Sequence, residues 1–546
     1  MSREQGSESA VSGSQFIKEE QMAKEKESPK KLSRREFVKG AAAVAGAGAL
    51  VSCAPAATPA PAPTCPPVAG VPDTWDKEAD VVVVGFGGAG GSAALEAHDA
   101  GAEVIILEKT PTPGGATSVC GGIIYAAGSS VQKAAGITDT PDEMYEYWMA
   151  AGKGLNDPEL DRILADRSAE MVEWLIEMGG VFKPERLYFS GAEADPEFAA
   201  ITPPKLRGHY IEAVTPTWPF PPESDPTRTY GPTAGGTGFF SLFWEGANAR
   251  GIEVLLETPA TALVTDPITK EVLGVKAESQ GNTLYIKARG AVVLAAGTFG
   301  MNKEMCKLYC PDAVGSNWNP LSHTGDGIKM AMAIGAELRN MNQSSIAVSI
   351  PQGSIMVNHG GRRFFDETCY RTPGEAAAGY YVSVHAIFDD AIQQEAQVAE
   401  TIQAPTIGEL AVEIGLAPSV LEDTVDTYNG YAKSGKDLEF GRTTKGPHGS
   451  LASLDVPMVP IETPPFHAVK VSKPVTSSVM IGGLRINTKA QVIDVYGEVI
   501  PRLYAAGRTA AGSMGEMYPG SGSSILDVFT FGRIAGKDAA AQEPWG

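Results

Sequence analysis

The chain has 546 residues, of which 43% are hydrophobic and 20% are charged, a composition that fits a soluble globular protein of two or three domains. The formal net charge of −21 at pH 7 argues against a surface for nucleic acids or other polyanions. It says little about a substrate, because the charge of a binding site is local.

The first residues have the pattern of an export signal. Ser33-Arg34-Arg35-Glu36-Phe37 resembles a twin-arginine motif, whose route carries folded proteins across the cytoplasmic membrane. The apolar run from Gly40 to Val51 is too short for a permanent membrane span. The run continues into Ser52-Cys53 and resembles a lipobox, so we expect a lipid anchor at Cys53. The alternative is ordinary cleavage near residues 54–57.

A tether follows this signal. We assign residues 1–53 to the signal peptide and residues 54–74 to an Ala/Pro-rich linker, which should be extended and flexible. The mature protein is therefore expected on the extracytoplasmic side, with Cys53 as its attachment to the membrane.

The most informative motif comes next. In Asp80-Val-Val-Val-Val-Gly85-Phe-Gly87-Gly-Ala-Gly90, four valines precede a Gly-x-Gly-x-x-Gly run that opens a predicted helix through Ala100. A second strand, Val104–Leu107, leads to Glu108. The glycines suit a tight turn, close approach to a pyrophosphate and helix–strand packing, and Glu108 suits a ribose. The helix N-terminus favours phosphate, but the fingerprint alone allows either FAD or NAD.

Strand and helix patterns alternate along the rest of the chain, which indicates a largely parallel sheet. Ala291–Gly297 and Leu503–Gly507 are predicted buried strands with glycine turns, whereas 340–470 has its own predicted helices at 407–415 and 419–432. The predicted fold is α/β: a Rossmann-like dinucleotide-binding domain with an inserted α+β domain. Its limits are 75–338 and 471–546 for the Rossmann-like domain and 339–470 for the insertion.

The six cysteines do not have the spacing of a redox centre. Neither a Cys-x-x-Cys-His haem motif nor a ferredoxin-like spacing occurs, and we expect no metal site. Cys306 and Cys310 are one helical turn apart, which favours two buried thiols over a disulfide or a metal pair.

From Asp80 to the C-terminus the chain resembles the fumarate reductase and 3-ketosteroid dehydrogenase flavoproteins (FAD-binding oxidoreductase 2 type). The matching segments keep their order along almost the whole mature chain. They are Glu108-Lys109, Gly114–Thr117, Gly121-Gly122, Ala291–Gly297, Thr324–Gly327, Gly361–Glu367, Leu503–Gly507 and Ser523–Gly536. The resemblance implies that the fingerprint binds FAD and that a capping domain interrupts the FAD-binding domain.

The resemblance also implies a set of cofactor contacts. The pyrophosphate would be held by Gly85, Gly87, Ala89 and Gly90, and the adenosine ribose by Glu108. The remaining contacts would be Ala116, Thr117, Gly121 and Gly122 along the flavin, Ala260 at the adenine, Asp326 on the cofactor chain, and Arg508, Ser524 and Ile525 near the pyrimidine end of the flavin.

The chain departs from fumarate reductases where those enzymes clamp two carboxylates. Gln343–Ile346 and Ser478-Val479 lack the expected histidines, Ser344–Gly353 contains no charged residue, and Tyr518 replaces an arginine. A dianion would need those donors to offset its loss of water, so fumarate is a poor candidate.

One basic residue of the resemblance remains. Arg371 matches the arginine that fumarate reductases use as a proton donor. Because a guanidinium is a reluctant acid, the alternatives are a carbonyl-binding arginine and a surface ion pair with Glu367.

The replacement at Tyr518 is informative. Tyr518-Pro519-Gly520-Ser521-Gly522 resembles the Tyr-Pro-Gly-x-Gly run of ketosteroid dehydrogenases, in which the tyrosine hydroxyl and the second glycine N–H bind the ketone oxygen. Two such donors stabilise an enolate, whereas the competing interpretation is a Pro-Gly turn with a packing tyrosine. A separate base could be Tyr125, Tyr210, Tyr230 or Tyr370.

These features predict an FAD-dependent enzyme that reduces an activated C=C bond by hydride transfer from flavin N5. The substrate would be an enone, an enoate or an unsaturated lactone, with Tyr518 and Gly522 at the carbonyl and Arg371 or a tyrosine as proton donor. Electrons would come from a membrane cytochrome or a quinol-linked protein. The alternatives are a ketosteroid-type dehydrogenase and a non-catalytic flavin electron-transfer or ligand-binding lipoprotein.

Overall fold

The computed structural model describes residues 68–188, 196–221, 231–314, 320–347, 351, 353–367, 384–398, 400–442, 458–471 and 477–545. The predicted signal peptide lies outside these residues, as do Tyr230, Tyr370 and Arg371. Residues 68–74 of the predicted linker are described, and the amide of Ala69 donates to the carbonyl of Leu263 at 3.2 Å. The limits of the linker stay a prediction.

The described residues form many short strands and a smaller number of helices. The strands are β1 (Lys77–Val84), β2 (Val104–Leu107), β3 (Ile123–Tyr125), β4 (Gly208–Tyr210), β5 (Glu253–Leu255), β6 (Ala260–Thr265), β7 (Val272–Ser279), β8 (Asn282–Leu294), β9 (Leu338–Arg339), β10 (Ser344–Ala347), β11 (Ile355–Val357), β12 (Val384–Asp389), β13 (Ile402–Ala404), β14 (Phe466–Val471), β15 (Ser477–Met480), β16 (Gly483–Arg485), β17 (Gln491–Ile493), β18 (Val499–Ala505) and β19 (Ala510–Ala511).

The α-helices are α1 (Gly88–Asp99), α2 (Gly115–Ser118), α3 (Ser130–Ala134), α4 (Pro141–Gly152), α5 (Pro158–Glu177), α6 (Pro196–Ala199), α7 (Gly236–Arg250), α8 (Lys303–Tyr309), α9 (Asp326–Met332), α10 (Asp390–Ala396), α11 (Ile407–Glu413), α12 (Pro418–Ser434) and α13 (Ser523–Ala540). Short 3-10 helices occupy Pro184–Arg186, Pro311–Ala313 and Gly507–Thr509.

The main sheet has the strand order β17-β18-β8-β1-β2-β5, in which β18, β8, β1, β2 and β5 are parallel neighbours. Val81–Val84 of β1 pair with residues 104–107 on one side and 291–294 on the other. These valines are buried, as expected for a parallel sheet covered on both faces. The α/β fold and the strands predicted around Asp80, Val104, Ala291 and Leu503 are confirmed.

The helix that opens at the fingerprint, α1, packs against the C-terminal helix α13. A Cβ atom on Gly532 would lie 2.7 Å from the carbonyl oxygen of Ala89, and one on Gly536 would overlap the carbonyl group of Ala93. Glycine at these positions lets the two backbones approach each other closely. The contact brings the last part of the chain against the first.

A separate hydrophobic cluster occupies the inserted segment. β11, β12, β14 and β13 form an antiparallel sheet, and α11 and α12 contribute Leu410, Leu421 and Tyr428 to the buried cluster beside it. The two helices predicted at 407–415 and 419–432 are confirmed. The exact limits 339–470 stay a prediction.

The described residues contain no helix that is both long and apolar enough to cross a membrane. Cys306 and Cys310 are both buried, as predicted, and Cys306 is a free thiol. Burial raises the pKa of the Cys306 thiol to about 11, so this thiol is protonated at neutral pH.

Candidate active site

A cavity lies at the carboxyl ends of four parallel strands. Its wall includes Gly85 after β1, Leu107 in β2, Ala295 after β8 and Ala506 after β18. Ligands of open α/β sheets bind at this edge.

The three fingerprint glycines have different structural roles. Gly85 has a φ of 105°, and a Cβ atom there would lie 2.5 Å from the carbonyl oxygen of Ala295. Gly87 borders the cavity, and the nearest atom to its Cβ position, the Gly114 oxygen, is 3.7 Å away. Gly90 packs against the carbonyl group of Gly85 and does not line the cavity. The third glycine therefore serves helix–strand packing.

The N-terminus of α1 faces the same cavity. Its N-cap residue is Gly87, which has no side chain to cap the helix, and the first turn contains no acidic residue. The positive end of the helix dipole is therefore available to an anionic group. Thr117 ties the short helix α2 to this turn, because its hydroxyl accepts a hydrogen bond from the amide of Gly88 at 3.1 Å.

Glu108 is held in one orientation at the end of β2. Its Oε2 accepts a hydrogen bond from the Phe86 amide at 3.0 Å. Its Oε1 accepts from the amide and the hydroxyl of Thr110, at 2.9 and 2.8 Å. A carboxylate has about four acceptor sites, so capacity remains for a ribose hydroxyl. The predicted ribose contact therefore lies on the cavity wall with a fixed geometry.

A charged cluster beside Glu108 was missed by the sequence analysis. Lys109 donates to Asp326 Oδ2 at 2.6 Å and to the Thr324 hydroxyl at 2.8 Å, and Lys329 contacts the other oxygen of Asp326 at 3.0 Å. Burial pushes the pKa of Asp326 up, but Lys109 and Lys329 outweigh it, so the pKa is lowered and the group stays ionised.

His323 also lines the cavity and was not predicted. Its Nδ1 is buried and has no hydrogen-bond partner among the described residues. Burial and the charge of Lys109 lower the pKa of the imidazole to about 4, so His323 is neutral at pH 7. Its place directly before the predicted Thr324–Gly327 motif is the sequence signal that could have identified it.

Arg508 lines the cavity after β18, which is separated from β2 and Glu108 by β8 and β1 in the sheet. Its guanidinium pairs with Asp527 at 2.9 Å, and Met514 Sδ lies 3.6 Å from its Nη1. The turn that carries Arg508 is fixed to β8, because the Thr509 hydroxyl donates to the carbonyl of Gly297 at 3.1 Å.

Most of the predicted cofactor residues meet at this one cavity. Those on its wall are Gly85, Gly87, Ala89, Glu108, Ala116, Thr117, Ala260, Asp326 and Arg508. Gly90, Gly121, Gly122, Ser524 and Ile525 are not on it. Gly122 packs against the backbone of Gly235, and the Ser524 amide is used by Tyr518. Direct flavin contacts by Gly121, Gly122, Ser524 and Ile525 stay a prediction.

The Tyr518 loop lies beside the Arg508 end of the cavity. The hydroxyl oxygen of Tyr518 accepts a hydrogen bond from the Ser524 amide, in the first turn of α13, at 3.1 Å. Burial raises the pKa of Tyr518, and the nearby charge of Arg508 only partly opposes this. Tyr518 is therefore a protonated phenol at neutral pH, and its O–H is left to donate.

Gly522 ends the same loop and caps α13 with a φ of 98°. Its carbonyl accepts a hydrogen bond from the Tyr125 amide at 3.3 Å, and a Cβ atom on Gly522 would lie 2.7 Å from that amide nitrogen. Glycine is therefore required here by the packing of the loop on β3. The predicted contact of Gly522 with a substrate oxygen stays a prediction.

Helix α4 holds the Tyr518 loop from behind. The Tyr147 hydroxyl donates to the carbonyl of Pro519 at 2.5 Å, and the Trp148 indole donates to the carbonyl of Ser513 at 2.7 Å. The amide of Met517 donates to the carbonyl of Ala151 at 3.1 Å. These bonds fix the loop at several points, which limits the motion of Tyr518.

The two segments that lack the expected histidines are neighbours in the fold. β10 pairs antiparallel with β15, and Ser345 lies opposite Val479 while Ile346 lies opposite Ser478. The structure therefore brings together two positions that the sequence analysis treated separately. Neither strand supplies a charged residue at these positions.

The other catalytic candidates have different surroundings. Tyr125 is fully buried and packs edge-on against Trp148, and Tyr210 stacks on Tyr188 beneath a guanidinium. Glu367, the proposed surface partner of Arg371, is buried instead. Its carboxylate binds Arg363 at 2.8 Å, Arg442 at 3.2 Å and the amide of Met356 at 3.1 Å.

Comparison with known proteins identifies relatives of this chain. A family described as "FAD binding domain" matches residues 80–525. A fumarate reductase (cytochrome) from Shewanella frigidimarina is 31% identical over 491 residues, covering 84% of this chain and 77% of the relative. A urocanate reductase from Eggerthella lenta is 32% identical and covers 86% of this chain and 76% of that relative.

A solved structure is also similar. It is a 3-ketosteroid-delta4-(5alpha)-dehydrogenase from Rhodococcus jostii in complex with 4-androstene-3,17-dione, with a TM-score of 0.73 and 32% identity over 87% of this chain and 100% of that chain. The family match identifies the cofactor as FAD. The cavity fits it: a fixed carboxylate stands at one end, a helix N-terminus in the middle and a guanidinium at the other end.

We expect Thr110→Val to weaken FAD binding about five-fold, since it removes a hydrogen bond to the Glu108 carboxylate worth about 1 kcal/mol while keeping the side-chain shape. Titration of the apoprotein with FAD, followed by flavin fluorescence, measures the Kd. Thr261→Val, on β6, is the matched control and should leave the Kd unchanged. An unaltered Kd in Thr110→Val would contradict the role of Thr110.

We expect Tyr147→Phe to destabilise the FAD-bound protein by about 1–3 kcal/mol, because the buried carbonyl of Pro519 loses its donor. Denaturant unfolding of the holoprotein measures the change. Tyr145→Phe, on the same helix, keeps the ring that stacks with Arg162 and should have a small effect. Equal stability of the two variants would show that Tyr147 does not hold the loop.

Proposed function

The chain belongs to the FAD binding domain family, and from this premise we propose that it is an FAD-dependent oxidoreductase that reduces a C=C bond conjugated to a carbonyl group. The substrate class is an enone, an enoate or an unsaturated lactone. The observation that carries the proposal is a protonated tyrosine, Tyr518, beside the Arg508 end of the cofactor cavity. Bound FAD supplies the hydride.

Tyr518 is suited to bind a carbonyl oxygen that gains negative charge during the reaction. Its oxygen already accepts the Ser524 amide, so the hydroxyl proton is directed to another acceptor. Acceptance of one hydrogen bond also strengthens the bond that the same hydroxyl donates. A fixed donor of this kind stabilises an enolate more than the ground-state carbonyl. Gly522 is the proposed second donor.

The surroundings of Tyr518 favour an uncharged carbonyl compound over a dicarboxylate. The charge of Arg508 is paired with Asp527, and strands β10 and β15, where the resemblance would place the carboxylate-binding histidines, lack charged residues where they pair. A dicarboxylate would lose its hydration without gaining ion pairs at these strands. The similarity to a ketosteroid dehydrogenase in complex with a diketone supports the same choice.

The proton for the α-carbon is proposed to come from Arg371, with a tyrosine as the alternative. Arg371 follows the buried Arg363–Glu367 pair by only a few residues, and its own position lies outside the described residues. An arginine can act as an acid only where its environment lowers its pKa, so a tyrosine donor remains the competing proposal.

The reverse reaction is a second candidate, favoured by the dehydrogenase similarity. The same donors that stabilise an enolate on reduction also stabilise it when a saturated ketone is oxidised. Assays with an artificial electron donor and an unsaturated carbonyl compound, and with an artificial acceptor and the saturated one, distinguish the two directions.

We expect Tyr518→Phe to lower turnover about 100-fold or more on any substrate found in such a screen, as loss of an oxyanion donor does in other enzymes. FAD content should stay normal, since Tyr518 does not line the cofactor cavity. Tyr496→Phe, at a position that is 87% exposed, is the matched control. Wild-type turnover in Tyr518→Phe would remove this residue from the mechanism.

We further propose that the protein is exported through the twin-arginine route, anchored at Cys53, and reduced by a membrane cytochrome or a quinol-linked protein. Arg34-Arg35 and the lipobox-like run before Cys53 support this proposal. NADH is not expected outside the cytoplasm.

We therefore expect the purified protein to turn over with an artificial low-potential donor and to remain inactive with NADH alone. A stopped-flow measurement of flavin reduction under anaerobic conditions separates the two donors. Rapid reduction of the flavin by NADH would contradict the proposed donor and leave the substrate class unaffected.

A further inference from the structure

Arg508 and Asp527 form a buried ion pair at one end of the cofactor cavity. The side chains are only 9% and 7% exposed, and the nitrogen–oxygen distance is 2.9 Å. The other carboxylate oxygen of Asp527 accepts the Ser513 hydroxyl at 2.6 Å. Arg508 borders the cavity, whereas Asp527 stands behind it on α13. The pair therefore presents its positive member to the cofactor.

The order of residues along the cavity places this pair near the flavin ring. Glu108 marks the ribose end and the N-terminus of α1 marks the pyrophosphate. Arg508 follows β18, farther from Glu108 than the N-terminus of α1 is, and its positive charge acts to lower the pKa of Tyr518. Its Nε is buried without a hydrogen-bond partner among the described residues. A donor of this kind is free to serve a bound cofactor.

We propose that Asp527 sets the reduction potential of the flavin by offsetting the charge that Arg508 presents to it. Asp527 is thus a positioning residue, which acts on the cofactor through Arg508. A guanidinium stays charged at all relevant pH values, so the field at the flavin depends on the counter-charge behind it. Two-electron reduction with uptake of one proton makes the flavin anionic, and an uncompensated cation would favour that state.

The groups around Asp527 indicate that one cation, Arg508, pairs with its carboxylate. Burial raises the pKa of Asp527, and the charge of Arg508 and the Ser513 hydrogen bond oppose that rise. Asp161 on α5 is a second buried acid nearby. Burial and the charges of Asp157 and Asp527 raise its pKa, whereas the hydrogen bond from Asn156 and the charge of Arg339 oppose that rise. Arg508 is therefore the cation that directly pairs with Asp527.

Because Asp527 offsets the charge of Arg508, the reduction potential of the bound flavin is lowered. The flavin is then a stronger reductant. This suits the proposed reduction of a C=C bond, but the inference rests on FAD binding and not on the substrate. A measurement of the potential needs no substrate, so the proposed function and this inference can fail separately.

The test is the two-electron potential of the bound flavin, measured by anaerobic titration against a reference dye. Asp527→Asn should raise the ratio of reduced to oxidised flavin about ten-fold at a fixed applied potential, which is a shift of about +30 mV. Arg508→Met should shift the ratio in the opposite direction. Asp538→Asn is the matched control, since it removes a carboxylate from the same helix that is bound to Tyr504 and not to Arg508.

Asp527→Asn could also lose FAD, because it disturbs a buried pair. In that case the Arg508→Met titration decides, since this variant leaves Asp527 hydrogen-bonded to Ser513. An unchanged or raised potential in Arg508→Met would overturn the inference. So would an Asp527→Asn potential that is lowered, or that equals the potential of Asp538→Asn.

Discussion

The close contact between α1 and α13 connects the functional parts of this chain. Gly532 and Gly536 leave no room for a side chain against the backbone of Ala89 and Ala93. The contact places Val528 and Phe529 beside Gly88 at the N-terminus of α1, and the first turn of α13 directly precedes these residues. From that turn Ser524 reaches Tyr518 and Asp527 reaches Arg508. A larger residue at either glycine would shift all of these contacts together.

In this arrangement, the charge of the groups that line the cavity changes from one end to the other. At the ribose end, Glu108 and the Lys109–Asp326 pair offer charged and fixed groups. In the middle, the uncapped α1 supplies a positive dipole without a formal charge. At the far end, the guanidinium of Arg508 is offset by the carboxylate of Asp527, and a neutral phenol, Tyr518, stands beside it. Among the described residues, the charges are therefore nearly balanced at the Arg508 end of the cavity.

The inserted segment uses buried charge for a different purpose. Arg363 is fully buried and binds Glu367 at 2.8 Å and Asp437 at 2.9 Å, while Arg442 donates to the same glutamate at 3.2 Å. Removal of one member would leave an uncompensated charge in the interior, which is strongly destabilising. The network thus connects the residues that follow β11 to the residues that follow α12.

The sequence by itself determined the parallel sheet, the fingerprint and the cofactor class. These depend on local patterns, such as a run of valines before glycines, that can be recognised within short segments. It missed His323 and Lys109 because a single polar residue beside a motif carries no periodic signal. Only the tertiary structure decided that Gly90 serves packing, that the Glu367 side chain is buried and that β10 meets β15. These facts depend on contacts between residues far apart in the chain, whose distances no local pattern specifies.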